Sequence, residues 1–211
     1  MEHIWRAFLR LFFRLLYNEF AWSYDVVAWL VSLGQWKAWG RTTLSHLRGA
    51  RVLELGHGPG HLLAALAAEE YAPIGLDLSP AMARQAQQRL QKAELQVPLV
   101  RGRAQALPFR GSSFDCVVAT FPTEFIVDPQ TLQELTRILP PEGRLTVAVG
   151  VRFGGEDLVS SFLSWLYRVT GQNQSLPDSF IAQLKQVGLS PQVTWEKVNR
   201  AAVLLIVAEK Q

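Results

Sequence analysis

The hydrophobic positions of this chain form short apolar runs that alternate with segments of helical spacing. Short apolar runs flanked by glycine, proline or polar residues predict buried strands, whereas apolar residues three or four apart among good helix formers predict helices. The predicted strands are residues 50–56, 72–78, 97–104, 114–121, 144–150, 191–198 and 201–210. The predicted helices are residues 61–70, 81–93, 129–140, 156–171 and 177–188.

The order of these elements predicts an α/β fold. Strands that alternate with helices form a parallel sheet with helices on both faces, entered through right-handed crossovers. The last two strands have no helix between them, so we expect them to pair antiparallel. In such sheets the ligand lies beyond the carboxyl ends of the strands, at the point where the strand order reverses. The first strand, with its glycine-rich loop and helix, marks that point.

Composition and charge divide the chain into two parts. At 211 residues, of which 49% are hydrophobic, the chain fits one domain with a sizeable core. Residues 1–48 carry six Lys and Arg against three acids, and five of the seven tryptophans. We therefore expect an aromatic-rich helical segment over residues 1–45 ahead of a domain over residues 46–211.

The sequence shows no sign of export or of a structural metal. The single cysteine, Cys116, excludes an internal disulfide and provides no metal cluster, so no metal site is expected. The charge-free apolar stretch 26–36 is too short to span a bilayer. Arginines interrupt the apolar start of the chain, and no small-residue cleavage site follows it, unlike a signal peptide. These features predict a cytoplasmic protein.

The stretch "LELGHGPGH" at residues 53–61 carries the first candidate chemistry. Its glycines give G-x-G-x-G rather than the dinucleotide fingerprint G-x-G-x-x-G, and no Gly-Lys-Ser/Thr of a P-loop follows. Glu54 would repel a pyrophosphate and attract a cation. Asp77 ends the second predicted strand, 21 residues after Gly56, where an acid can accept hydrogen bonds from ribose hydroxyls. Together they predict a site for a nucleoside with a cationic arm, such as S-adenosylmethionine.

Four stretches in order then resemble the motifs of class I S-adenosylmethionine-dependent methyltransferases. They are "VLELGHGPGHLLAAL", "IGLDLSPAMARQAQ", "ALPFRGSSFDCVVAT" and "ELTRILPPEGRLTV". The chain resembles in particular the group of ubiquinone and menaquinone biosynthesis enzymes. The resemblance implies a Rossmann-like seven-stranded, mostly parallel sheet with helices on both faces and a C-terminal antiparallel strand pair.

The resemblance also implies a set of cofactor contacts. The methionyl arm would be held by Glu54 and the loop residues Gly56, His57, Gly58 and Gly60. Asp77 would take the ribose hydroxyls, Leu78 and Met82 would lie against the adenine, and Thr120 and Phe121 would lie under the cofactor. Arg103 stands where the family often has an aspartate for the adenine amino group. Since arginine cannot accept a hydrogen bond, we expect that role to fall to the backbone at Ala104 or to Gln105.

The chemistry expected at this site is methyl transfer to a small, lipophilic acceptor. A sulfonium is already activated, so a held and aligned nucleophile supplies most of the catalysis. A general base is needed only if the acceptor loses a proton at the transition state. Thr123 and Glu124, just past the fourth strand, are the candidate catalytic residues. Two other classes stay open from the sequence: a cofactor-binding protein without catalysis, and an NAD-dependent oxidoreductase, which the glycine spacing disfavours.

The N-terminal segment has two interpretations. Residues 1–16 place aromatic and aliphatic side chains at helical spacing beside a stripe of arginines, as in helices that lie on anionic membranes. This predicts peripheral contact with the inner membrane face. Alternatively, the segment packs over the cofactor mouth, and Tyr17, Tyr24 or Trp36 covers the site. Nucleic acid binding fits less well, because the basic residues are few and no RNA-binding module is visible.

Overall fold

The computed structural model describes residues 29, 32, 34–153 and 178–211. The α-helices in these ranges are α1 (Trp36–Arg41), α2 (His61–Ala68), α3 (Pro80–Lys92), α4 (Pro129–Ile138) and α5 (Asp178–Gln186). The strands are β1 (Arg51–Leu55), β2 (Ala72–Asp77), β3 (Leu99–Arg101), β4 (Cys116–Thr120), β5 (Arg144–Phe153), β6 (Leu189–Val198) and β7 (Ala201–Lys210). Short 3-10 turns cover Leu44–His46 and Glu124–Val127.

The strands form one seven-stranded sheet in the order β3-β2-β1-β4-β5-β7-β6. The pairs from β3 to β5 are parallel, and β7 lies antiparallel between β5 and β6. The strand order reverses between β1 and β4, which start the two halves of the parallel sheet. The predicted Rossmann-like fold with a C-terminal antiparallel pair is confirmed.

Local sequence signals set several element boundaries. Helix α3 begins at Pro80, and the hydroxyl of Ser79 accepts the backbone N–H of Met82 at 3.2 Å, which makes Ser79 the N-cap of this helix. Strand β6 starts at Leu189 and contains Pro191, which an edge strand tolerates because its outer N–H groups need no partner. Strand β3 is shorter than the predicted 97–104 and β5 runs three residues past the predicted end at 150. The predicted helix 156–171 lies outside the described residues.

The two faces of the sheet bury different residues of the same strand. Leu53 and Leu55 of β1 pack on the face covered by α4 and α5, together with Leu135 and Phe180. Val52 packs on the opposite face, against Leu66 of α2. Side chains alternate along a strand, so Glu54 shares the α2 face with Val52 and stands at the carboxyl end of β1. This alternation directs its carboxyl group towards the face that α2 covers.

Helix α1 is fixed to the same sheet by Trp39. Its ring is fully buried in a cluster with Ala148, Val151 and Val203 of the β5–β7 part of the sheet. None of the helices in residues 34–153 and 178–211 is long and apolar enough to cross a bilayer.

Candidate active site

The glycine-rich loop between β1 and α2 uses each of its glycines for a different reason. Gly56, Gly58 and Gly60 have φ of 74°, 51° and 79°, a region that L-residues with side chains rarely adopt. A Cβ on Gly60 would lie 2.8 Å from the Cβ of Ala86, so this glycine allows the start of α2 to approach α3. A Cβ on Gly56 would contact Phe125 at 3.3 Å. A Cβ on Gly58 would meet nothing within 4 Å, so only Gly58 presents open space to a ligand.

Glu54 places a buried carboxyl group beside this loop. The residue is 2% exposed, and its carboxylate accepts a hydrogen bond from the backbone N–H of Leu63 in the first turn of α2. Its Oε2 is buried without a hydrogen-bond partner among the described residues. Burial, and secondarily the negative charge of Asp77, raise the pKa of Glu54 well above its usual range. Such a carboxyl group is suited to bind a cation, because a positive charge beside it would favour the ionised form of Glu54.

Asp77, at the end of β2, supports the same loop. Its Oδ2 accepts the backbone N–H of Gly58 at 2.9 Å, and its Oδ1 accepts that of Ser79 at 2.8 Å. The carboxylate is partly exposed and each oxygen retains a lone pair for a ligand hydroxyl. The predicted contact with ribose hydroxyls therefore stays a prediction, to which the structure adds a second role in shaping the loop.

Replacement of Asp77 should consequently affect both stability and ligand binding. Asp77→Ala leaves two loop N–H groups without their acceptor, and we expect losses of about 1.5–3 kcal/mol in unfolding free energy and of similar size in nucleoside binding. Denaturant unfolding and calorimetry measure the two effects. Asp115→Ala is the matched control, because Asp115 also accepts two backbone N–H groups, those of Ala50 and Arg51, at the opposite end of β1. If the Asp77→Ala protein binds the nucleoside as tightly as the Asp115→Ala protein does, Asp77 does not contact the ligand.

His57 is a structural part of the loop. It is 3% exposed, and its Nδ1 lies 2.7 Å from the carbonyl oxygen of Gly58. Its ring lies over Gly75 of β2, where an added Cβ would come within 2.9 Å of the histidine Cδ2. Burial lowers the pKa of His57, so the ring is neutral at physiological pH. A neutral ring avoids placing a second positive charge beside the cation that Glu54 is suited to bind.

The predicted adenine contacts are only partly available at the surface. Leu78 is 55% exposed beside Asp77, whereas Met82 and Ala104 are buried. The amide nitrogen of Gln105 donates at 3.1 Å to Oδ2 of Asp128, the N-cap residue of α4, and the amide oxygen of Gln105 can still accept a hydrogen bond. Leu78 is thus the exposed apolar surface among the predicted adenine contacts.

A cavity of about 480 Å³ opens between α1 and the glycine-rich loop. It lies at the carboxyl ends of β1 and β4, where the fold predicts a ligand. The predicted site residues that line it are Glu54, Gly56, His57, Gly58, Thr120 and Phe121. Trp36 of α1, one of the three predicted covering residues, also lines it, whereas Tyr17 and Tyr24 lie outside the described residues. Thr123 and Glu124 are exposed at the turn beyond β4 and do not line this cavity.

Several lining residues were not among the predicted site residues. Lys37, Gly40 and Arg41 belong to α1, and Ala64, Ala65 and Ala68 belong to α2. Their position follows from how α1 packs beside α2, which depends on the burial of Trp39. The run of small residues in α2 could have indicated a cavity, because small side chains leave room between neighbouring helices. Alanine is also the best helix former, however, so the same run is expected in helices that line no cavity.

Comparison with known proteins identifies the family. The model of a family described as "Methyltransferase domain" matches residues 52–143. The demethylmenaquinone methyltransferase of Lactiplantibacillus plantarum is 34% identical over 161 residues, which cover 72% of this chain and 68% of that protein. The ubiquinone/menaquinone biosynthesis C-methyltransferase of Cronobacter sakazakii is 31% identical over 141 residues, which cover 63% of this chain but only 56% of that protein.

Solved structures agree on the fold. The geranyl diphosphate C-methyltransferase from Streptomyces coelicolor A3(2), crystallised with Mg²⁺, geranyl diphosphate and S-adenosylhomocysteine, superposes with a TM-score of 0.65 at 15% identity. The match covers 90% of this chain and 84% of that one. The resemblance inferred from the four sequence motifs is therefore confirmed, and the chain belongs to the S-adenosylmethionine-dependent methyltransferase family.

Proposed function

We propose that the cavity beside the glycine-rich loop binds S-adenosylmethionine and that the protein transfers its methyl group to a small, lipophilic acceptor of the quinol type. The observation that carries this proposal is the buried Oε2 of Glu54, which lacks a partner among the described residues, in the wall of the cavity. Burial of a carboxyl group without a hydrogen-bond partner lowers the stability of the fold, and the α-ammonium group of a methionyl arm would supply that partner. The relatives named above support the choice of acceptor.

Each residue of the site is assigned to a different part of the cofactor. Glu54 would receive the ammonium group, and Gly58 would let the arm lie against the backbone, because no side chain occupies that space. Asp77 would accept from the ribose hydroxyls, and Leu78 would cover one face of the adenine. The bound cofactor supplies an electrophilic methyl group on a sulfonium. Alignment of the acceptor with that methyl group can contribute roughly 7–11 kcal/mol to lowering the barrier.

A carbon or oxygen acceptor must also release a proton. When the acceptor forms its bond to the methyl carbon, the carbon–sulfur bond breaks and its electron pair remains on sulfur as a thioether. Glu124 is our candidate for receiving the acceptor's proton, with Thr123 beside it to orient the acceptor. Both are exposed at the turn that follows β4, on the same edge of the sheet as the cavity.

Two assays test the proposal. Calorimetry should show binding of S-adenosylmethionine and S-adenosylhomocysteine and no binding of NAD. Incubation with S-adenosylmethionine and demethylmenaquinol should then release S-adenosylhomocysteine. Cofactor binding without any release, either with this acceptor or with a metabolite extract, would instead support a binding protein without catalysis.

Cofactor binding should release protons. In the free protein the pKa of Glu54 is raised, and a bound ammonium group would lower it towards the ordinary carboxyl value of about 4.3. Between these two pKa values the free protein holds a proton that the complex does not, so affinity should increase as the pH rises through that window. Calorimetry in two buffers of different ionisation enthalpy counts the released protons. Equal heats of binding in both buffers, at pH values between the two pKa values of Glu54, would contradict the assignment of Glu54 to the ammonium group.

We also propose that residues 1–16, outside the described residues, dock the protein on the cytoplasmic membrane face near a lipid-soluble acceptor. Each basic residue near an anionic surface contributes about 1 kcal/mol, and this attraction falls with salt. The full chain should therefore sediment with anionic vesicles at low salt and less at high salt. Deletion of residues 1–16 should abolish sedimentation and leave cofactor affinity nearly intact. If the full chain does not sediment with the vesicles and the deletion lowers cofactor affinity, residues 1–16 would instead belong to the segment that packs over the cofactor mouth.

A further inference from the structure

Phe121 has an unusual backbone conformation at the cavity. It directly follows β4 and has a φ of 48°, in the left-handed region that bulky residues rarely adopt. Its N–H donates to the carbonyl oxygen of Ala148 at 2.8 Å, which holds it to the neighbouring strand β5. A phenylalanine kept in such a conformation beside a ligand cavity indicates that the direction of its ring matters to function.

The ring of Phe121 belongs to a stack of aromatic side chains. Its centroid lies 4.6 Å from that of Trp36 and 6.4 Å from that of Trp39. Trp39 is fully buried and packs edge-on against Phe153 at 5.7 Å. Trp36 and Phe121 line the cavity, whereas Trp39 and Phe153 lie behind them. The buried Trp39 and the partly buried Phe153 therefore support Trp36 and Phe121 from behind.

Two parts of the cavity lining consequently differ in chemistry, and each is called a wall below. One is the glycine-rich loop with the carboxyl group of Glu54, and the other is the aromatic pair Trp36 and Phe121. A charged amino-acid arm complements the first wall. The second wall favours an aromatic ring, because aromatic pairs prefer offset or tilted contacts with centroids about 4.5–7 Å apart.

We propose that Trp36 and Phe121 form the acceptor wall, and that this wall selects a flat aromatic ring over a saturated ring of the same size. The proposal rests on the proposed function and changes the expected role of Phe121, from a residue under the cofactor to one that contacts the acceptor. Thr120, the last residue of β4, precedes Phe121 and also lines the cavity, so a ring against this wall would lie next to the place expected for the cofactor.

The test measures selectivity between two neutral probes with one carbon skeleton. Binding of 1-naphthol and of decahydro-1-naphthol to the protein loaded with S-adenosylhomocysteine is measured by calorimetry. The wild type should prefer 1-naphthol. Phe121→Leu and Trp36→Leu keep an apolar side chain but remove the ring, and each should reduce the preference by about twofold to tenfold. The intrinsic hydrophobicity of the two probes cancels when variant and wild-type ratios are compared.

Two further variants separate this role from a structural one. Phe121→Tyr keeps the ring and should retain the preference. Phe153→Leu disturbs the same aromatic stack away from the cavity and should also retain it. The proposal is overturned if the wild type binds no 1-naphthol, if it shows no preference, or if Phe153→Leu reduces the preference as much as Phe121→Leu. Failure of S-adenosylhomocysteine to bind the wild type would instead contradict the proposed function.

Discussion

Glu54→Gln should nearly abolish S-adenosylmethionine binding without destabilising the free protein. The amide can still accept the N–H of Leu63, but it carries no charge for the ammonium group. Removing one member of a buried ion pair costs about 3–5 kcal/mol, which corresponds to a loss of affinity of roughly two to three and a half orders of magnitude. Calorimetry of wild type and variant at the same pH measures this loss.

The pH dependence of stability provides the matching control. The pKa of Glu54 in the folded protein is raised above its unfolded value, so its contribution to stability is present at low pH and is lost as pH rises through the folded-state pKa. The variant has no such titration. Its unfolding free energy should therefore exceed that of the wild type by an amount that grows with pH. A variant that is less stable at every pH, or that binds normally, would show that Glu54 has only a structural role.

Gly58→Val should eliminate cofactor binding. It should lower the free energy of unfolding by little more than Gly188→Val, the same change at another glycine with positive φ. The new side chain enters the open space of the cavity that we assign to the methionyl arm. A β-branched residue at positive φ is strained, and we expect the free energy of unfolding to fall by about 1–3 kcal/mol. Calorimetry and denaturant unfolding measure both quantities.

Gly188→Val is the matched control for this strain. Gly188 has a φ of 83°, and its Cβ would also meet nothing within 4 Å, but it lies in the turn between α5 and β6. The two variants should be destabilised to a similar extent, and only Gly58→Val should lose the cofactor. If Gly58→Val binds the cofactor as well as Gly188→Val does, the methionyl arm lies elsewhere.

The strands and the glycine-rich loop could be predicted because their signals are local. The apolar run of β1 ends at Gly56, and Ser79 with Pro80 marks the start of α3, so short sequence patterns define these boundaries. General rules also limit the possible strand orders, since right-handed crossovers leave few arrangements for alternating strands and helices.

Apart from Trp36, the residues that α1 brings to the cavity could not be predicted, because their position depends on tertiary packing. Burial of Trp39 places α1 over the loop and brings Lys37 and Arg41 to the cavity. The separate role of Gly60 likewise depends on Ala86, a residue 26 positions later in the chain. The hydrogen bond from Gln105 to Asp128 spans 23 positions of the chain, and no local pattern indicates it.

A crystal structure of the complex with S-adenosylhomocysteine would show directly whether Glu54 and the glycine-rich loop hold the cofactor. We expect the amino group within about 2.7–3.2 Å of the Glu54 carboxylate, the methionyl arm against Gly58, and the ribose hydroxyls on Asp77. A ligand bound away from the glycine-rich loop, or one whose amino group has no contact with Glu54, would contradict it.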